Sequence, residues 1–510
     1  MNTDDLPVLS IELLKASIEE LLASYSVRIL AFFAMPNKDL ENTEKPFHLI
    51  AILLDASTRT LLGAAAEVGT RYTAFTPLIP ALHLFEREIA EQYNITPEGH
   101  PWLKPVRSQN MTDADDAAQE ANTENPADSE AAKFFRLSGK ATHEVAVGPV
   151  HAGVIEPGHF RFQCLGEDVH HLEIALGYQH RGIEAMLKGG PDLRSLHYAE
   201  TVSGDTTIAS VSNYAAIIEA LSDTTPSGES LLLRNILLEL ERIVNHAGDI
   251  GALAGDVAYL PTSSYCGRIR GEYLNMTAEV AGNRFGRNVI IPGGMRTGLS
   301  SEKAEKLLNW LYKTKYELDV ALDIMLDEPT ALDRFEGLGT ITEFDARTIG
   351  AVGVAARAAG LDIDARFDLP PAGEDTAEQL FPFSSSPIPA CSGDVISRIK
   401  IRRHEIENSH AWLFEVLKNA IEKPFTNIDP PKTSGKLAPD SFAVAVTEAW
   451  RGELVHVVFT DEAGRFKHYK IIDPSFRNWF ALALSLREAQ ISDFPICNKS
   501  FNLSYCGHDL

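Results

Sequence analysis

"SLLLRNILLELERIVNHAGDIGALAGDVAYL", residues 230–260, decides the fold. Its leucines and isoleucines recur every three to four positions over a length that no strand reaches, so the period is helical. "SEKAEKLLNWLYKTKYELDVALDIML", residues 301–326, repeats the pattern. Strand-like text flanks these helices. It appears as "HFRFQCL" at 159–165 and as "FAVAVTEAWRGELVHVVFTDEAGRFKHYKII" at 442–472, where "DEAG" reads as a turn between two alternating runs.

Upstream, residues 108–132 read "SQNMTDADDAAQEANTENPADSEAA", with one Met and no other bulky apolar side chain. Such text cannot bury enough surface to offset its ordering entropy, and it reads as a flexible acidic linker. Before it, "VRILAFFAM" (27–35) and "FHLIAILLD" (47–55) are strand-like, and "ASTRT" leads the second into a hairpin with "LLGAAAEV". "IPALHLFEREIAEQY" (79–93) is helical. The fold class is therefore α+β: a small N-terminal α/β domain over 1–107, the acidic linker over 108–132, and a large, mainly helical domain with a minor antiparallel sheet over 133–510.

At 510 residues, 45% hydrophobic and 23% charged, the chain has the composition of a globular protein with substantial cores. Its formal charge of −25 disfavours nucleic acid and anionic lipid as partners, because phosphate recognition needs a basic face. Five cysteines form no disulfide framework and suit a reducing compartment. The start "MNTDDLPVLS" lacks the apolar core of a signal peptide, and no apolar run reaches about 18 residues, so direct membrane insertion is not expected. The expected location is cytoplasmic, with any membrane association borrowed from partners.

Four stretches in order carry a specific resemblance: "GPVHAGVIEPGHFRF" (148–162), "YQHRGIEAML" (178–187), "ELERIVNHAGDIGALAGD" (239–256) and "GDVISRIKIRRHEIENS" (393–409). Together they resemble the 49-kDa-type subunit of respiratory complex I and the large subunits of membrane-bound nickel–iron hydrogenases. "HLFEREIAEQYNITPEGHPWLKPVR" (83–107) resembles the closing segment of the 30-kDa-type subunit, which is fused to the 49-kDa type in several bacteria. The resemblance implies an electron-transfer subunit of a complex I-like or hydrogenase-related oxidoreductase. It implies partners too: a small iron–sulfur subunit and integral, antiporter-like membrane subunits that hold the chain at the cytoplasmic face of the bacterial inner membrane. It further implies a cavity near the partner's last cluster that takes either a nickel–iron centre or a quinone. No cofactor is expected to be bound by this chain alone. The alternative is a non-catalytic assembly subunit whose active site has been lost.

The cavity positions separate these uses. The first pair of hydrogenase cysteine ligands falls on Ser203 and Thr206 of "ETVSGDTTIAS", and the accompanying His on Ser210. The second pair falls on Ser504 and Gly507 of "DFPICNKSFNLSYCGHDL", with Cys506 one residue and Cys497 seven residues out of register. Hydroxyls are poor ligands for a soft metal centre, so no bound metal and no hydrogen turnover are expected. The quinone-contacting His and Tyr of complex I fall on Ile155 and Gly204, so the usual quinone donors are missing as well.

By the same resemblance, Glu156, His151 and Asp256 are candidate proton-path or cavity residues, and His180 and Arg181 stand near the partner's cluster. Read without it, Glu156 is a turn residue before Pro157 and Arg181 an ion-pairing helix-start residue. Glu239, Arg242 and His246 share one helix face, and a buried structural charge network is the preferred reading. The loose set His151, His159, Cys164, His170 and His171 has no zinc-finger spacing. "IPGGMRTG" (291–298) lacks the lysine of a phosphate loop, so a nucleotide site is not expected.

Overall fold

The computed structural model describes residues 1–37, 44–107, 134–151, 156–369, 388–428 and 436–510. The segment read as a linker and Ile155 lie outside these residues. Helices α1 (Ile11–Leu22) and α2 (His83–Tyr93) belong to the N-terminal part, with α3 (Thr207–Leu221), α4 (Gly228–Asp256), α5 (Leu260–Ala281), α6 (Ser301–Leu326), α7 (Val395–Glu422), α8 (Pro474–Ser485) and α9 (Phe494–Phe501) following. The long helices α4 to α7 pack as a bundle. Capping sets their starts: Ser227 accepts from the Ser230 amide, Ser300 from Lys303 and Asp394 from Ser397.

The stretch at 230–260 is not one helix throughout. Its helix ends at Asp256; Ala258 then takes a left-handed conformation (φ +60°), and Pro261 opens α5 in its first turn. The break matters, because it leaves Asp256 at a helix end facing a cavity.

Three sheets of three or four strands and two two-stranded ribbons accompany the helices among the described residues. The first comprises β1 (Val8–Leu9), β2 (Val27–Pro36), β3 (Phe47–Asp55) and β4 (Thr60–Val68), in the order β1-β4-β3-β2. The expected hairpin is its β3–β4 pair, with Asp55 opposite Thr60. Short strands β5 (Arg71–Thr73) and β6 (Thr96–Glu98) pair in parallel beside it. The second sheet is an antiparallel meander of β7 (Thr142–Val147), β8 (His159–Leu165) and β9 (Asp168–Ala175). After the small ribbon of β10 (Ile290–Ile291) and β11 (Gly294–Met295), the third sheet joins β12 (Phe442–Ala449), β13 (Gly452–Thr460) and β14 (Phe466–Ile472).

Strand β13 is buried along its whole length. Leu454 and Val458 point into the main helical core, whereas Val455, Val457 and Phe459 join the core of the N-terminal part. Two-residue alternation thus sends one strand into two cores, which is why "ELVHVVF" is nearly continuously apolar. Buried ion pairs tie the same junction. Arg28 meets Glu453 at 2.5 Å and Asp368 at 2.8 Å, and Lys470 meets Glu88 at 2.8 Å.

Candidate functional site

Two segments some 300 residues apart meet at the positions where the resemblance puts metal ligands. Ser203 and Ser504 hydrogen-bond through their hydroxyls at 2.9 Å, both buried. The Ser203 hydroxyl also donates to Asp205 Oδ1 (2.9 Å), and Thr206 donates to the same oxygen (3.1 Å). Ser504 caps the turn Tyr505–His508 by accepting from the Gly507 amide. At Gly507, a Cβ would come within 2.5 Å of Asp473 Oδ2, so a carboxylate fills the space a larger side chain needs.

A guanidinium dominates this corner. Arg451 donates from its two terminal nitrogens to both oxygens of Asp205 (2.7 and 2.8 Å) and from Nε to the Asn502 carbonyl (2.6 Å). Its head stacks on the Trp450 ring at 3.8 Å, and the Trp450 indole donates to the Asp205 carbonyl. Burial alone would raise the Asp205 pKa, but the Arg451 charge and the three donors overcome it and hold the carboxyl at about 2. Asp473 goes the other way: burial raises it, and Arg451 only partly compensates.

Beside this corner lies a cavity of about 400 Å³, lined among others by Glu156, Asp249, Asp256, Arg270, Arg451 and Lys499. Glu156 reaches it from the turn after residue 155, where Gly158 lies against the Tyr505 ring and the Cys506 amide bonds to the Glu156 carboxyl. Burial raises the Glu156 pKa against the pull of Arg451, and burial raises that of Asp256 against Lys499. Carboxyls that hold a proton nearer neutrality beside fixed cations are suited to proton exchange with a bound acceptor.

Of the expected site residues, Glu156 and Asp256 therefore share one cavity. His151 is exposed and does not line it. His180 and Arg181 sit on a neighbouring loop. His180 Nδ1 is 3.1 Å from the Asp509 carbonyl, and Arg181 donates to the carbonyls of Thr201 and Val202 (2.7 and 2.9 Å), directly before Ser203. Sequence reasoning missed Asp205 and Arg451. Asp205 stood between two ligand positions, and its pairing with a residue in a strand turn 246 positions away left no local pattern.

The expected charge network on α4 exists and is larger than the three residues named. Arg242 bonds Glu239 (3.1 Å) and reaches Glu405 of α7 (3.4 Å), which also accepts from His246 (2.8 Å) and Arg357 (2.9 Å). Arg357 continues to Glu448 at 2.8 Å. One helical turn beyond His246, Asp249 pairs with Arg402 (2.9 Å) and opens onto the cavity, so the seam ends there.

The donor set does not fit a nickel–iron centre. Two of the four ligand positions bond to each other, the third is engaged with Asp205, the fourth has no side chain, and Asp205 itself is paired by Arg451. Among the described residues, no group of three or more histidine, cysteine or acidic side chains is placed to hold a metal ion, and the loose Cys/His set is not such a group.

The chain is similar to subunits of known oxidoreductase complexes. Residues 256–509 match the family described as the 49-kDa subunit of respiratory-chain NADH dehydrogenase. Formate hydrogenlyase subunit 5 of Escherichia coli K12 is 27% identical over 477 residues, spanning 89% of this chain and 80% of its own. NADH-quinone oxidoreductase subunit 4 of Thermus thermophilus is 26% identical over 373 residues, spanning 68% and 89%. A chain in the solved structure of the archaeal membrane-bound sulfane sulfur reductase, a respiratory membrane complex, superposes with a TM-score of 0.65 over 73% of this chain and 99% of its own. At 20% identity, that likeness concerns the fold alone.

Proposed function

Since this chain is a relative of the 49-kDa subunit of respiratory NADH dehydrogenase and of membrane-bound hydrogenase large subunits, we propose that it passes electrons from an iron–sulfur cluster on a small partner subunit to an acceptor in the cavity between Glu156 and Arg451. Relatives named as subunits of membrane-bound complexes support a membrane-associated oxidoreductase as the setting. No described helix is long and apolar enough to cross a membrane, so partner subunits supply the anchorage. We place the complex at the cytoplasmic face, with antiporter-like membrane subunits coupling electron flow to ion movement.

The observation that carries this reading is a cavity of about 400 Å³ lined by both cationic side chains and carboxyls whose pKa burial raises. A quinone headgroup or a similarly polar acceptor takes up two electrons from the cluster and two protons, and Glu156 and Asp256 are placed to give those protons. Arg451 and Lys499 stabilise negative charge that develops on the acceptor. The test is acceptor reduction by the purified complex. Glu156→Gln is expected to lower the rate roughly 10²-fold with the cluster still reducible.

A second reading, a non-catalytic assembly subunit, is favoured by the closed Ser203–Ser504 contact. Under it, Glu156→Gln leaves the rate of the complex unchanged.

A further inference from the structure

The loop 177–181 presents His180 and Arg181 on the surface and is bolted at both ends. On one side Arg181 clasps the Thr201 and Val202 carbonyls. On the other, everything converges on Asp509. Its Oδ1 accepts from the Gly177 amide (2.9 Å) and stands 2.8 Å from His508 Nδ1, its Oδ2 accepts from the Gln179 amide (3.0 Å), and its carbonyl meets His180 Nδ1 (3.1 Å).

Asp509 is fully buried, and its own amide donates to the Tyr505 carbonyl, one turn back toward Ser504. The N-terminal part closes the clamp from behind. Arg107, held by Glu88 at 2.7 Å, donates to the His508 carbonyl at 3.3 Å. Gly177 fits because a Cβ there would come within 2.7 Å of Arg107 Cα, and its φ of +106° is open to glycine. A carboxylate on two amides of one loop is an anchor of charge-assisted hydrogen bonds that fixes both position and orientation.

We infer that Asp509 is a positioning residue: its carboxylate sets where His180 and Arg181 stand toward the partner subunit's iron–sulfur cluster, and thereby tunes the potential at which electrons enter the cavity. This rests on the proposed electron-transfer role. The clamp makes no hydrogen bond to Glu156 or Asp256, but the Asp509 charge also acts on Glu156, so the cluster potential and not the turnover rate reads the effect on electron entry.

The experiment is a redox titration of the cluster signal in the purified complex, comparing wild type with Asp509→Asn and Asp509→Glu. With the anion removed, the midpoint potential of the cluster nearest this chain is expected to rise, and Asp509→Glu to return it toward the wild-type value. An assembled Asn variant with an unchanged potential overturns the inference. Should that variant not assemble, deuterium exchange of the intact chain decides: faster exchange at Gly177 and Gln179 than in wild type supports the clamp, and equal exchange overturns it. Absence of any cluster-bearing partner from the wild-type complex overturns the proposed function instead, and the exchange comparison then stands alone as the test of the clamp.

Discussion

Arg451 is the residue on which the site's electrostatics turn. Its guanidinium keeps Asp205 ionised at the mouth of a cavity where Glu156 and Asp256 are pushed the opposite way. Because the folded-state value for Asp205 is depressed to about 2 from an ordinary 3.8, the stabilisation from this pair is complete above about pH 4. It is lost as the pH falls through 2. Arg451→Met is expected to bring the Asp205 titration, followed by carboxyl NMR, up past 3.8 and, because about a third of the Asp205 side chain is open to solvent, to cost only about 1 kcal/mol of stability. An unmoved Asp205 curve would show that the hydroxyls of Ser203 and Thr206 suffice to hold it. At this scale the sequence was partly legible. The family resemblance placed Ser203 and Ser504 at one site, and they touch. Arg451 and Asp205 escaped because their meaning lies in a contact that only the folded chain makes.

At the scale of elements, the turn that delivers Arg451 depends on two glycines. Gly353, with φ +63°, lies so close beneath the β12–β13 turn that a Cβ would overlap the Arg451 carbonyl and crowd Gly452. Gly353→Ala is expected to destabilise the protein by about 1–3 kcal/mol. It should also raise the Asp205 titration as Arg451 shifts, whereas an Ala at exposed Gly360 should leave that titration alone.

Helices α4 and α7 meet along the Glu239–Arg242–His246 and Glu405–Ser409 seam, where Ser409 donates to Glu239 at 2.5 Å. Glu405→Leu removes the carboxylate shared by Arg242, Arg357 and His246 and leaves excess buried positive charge, so a loss of about 3–5 kcal/mol is expected in chemical denaturation. Loss of well under about 1 kcal/mol would mean water reaches the seam. The stripe of apolar residues predicted these helices, but it ran on to residue 260 because periodicity does not register a left-handed residue such as Ala258 or the Pro261 that starts the next helix.

For the whole molecule, the sequence suggests two units on either side of an acidic segment, and the packing joins them through β13. Removing residues 1–107 uncovers Val455, Val457, Phe459, Ile472 and Phe476, and it takes Glu88 from Lys470 and Arg28 from Glu453. That fragment is expected to aggregate when expressed alone. By contrast, a protease site introduced between residues 108 and 133 is expected to give two cut halves that co-elute in gel filtration. Separation into soluble, independent halves would contradict the shared core. Burial of one strand on both faces is not distinguishable in sequence from a half-buried strand with a few extra valines, which is why the junction was not foreseen.

The positions where the resemblance puts hydrogenase ligands are closed by hydroxyls, a glycine against Asp473 and the Arg451–Asp205 pair. Elemental analysis of nickel and iron in the complex, purified through a tag on this chain, tests this closure most directly. With those positions closed, the expected result is iron carried by a partner's clusters and no stoichiometric nickel. One nickel per complex would contradict it, because these side chains would then be binding a metal for which they have no free ligand.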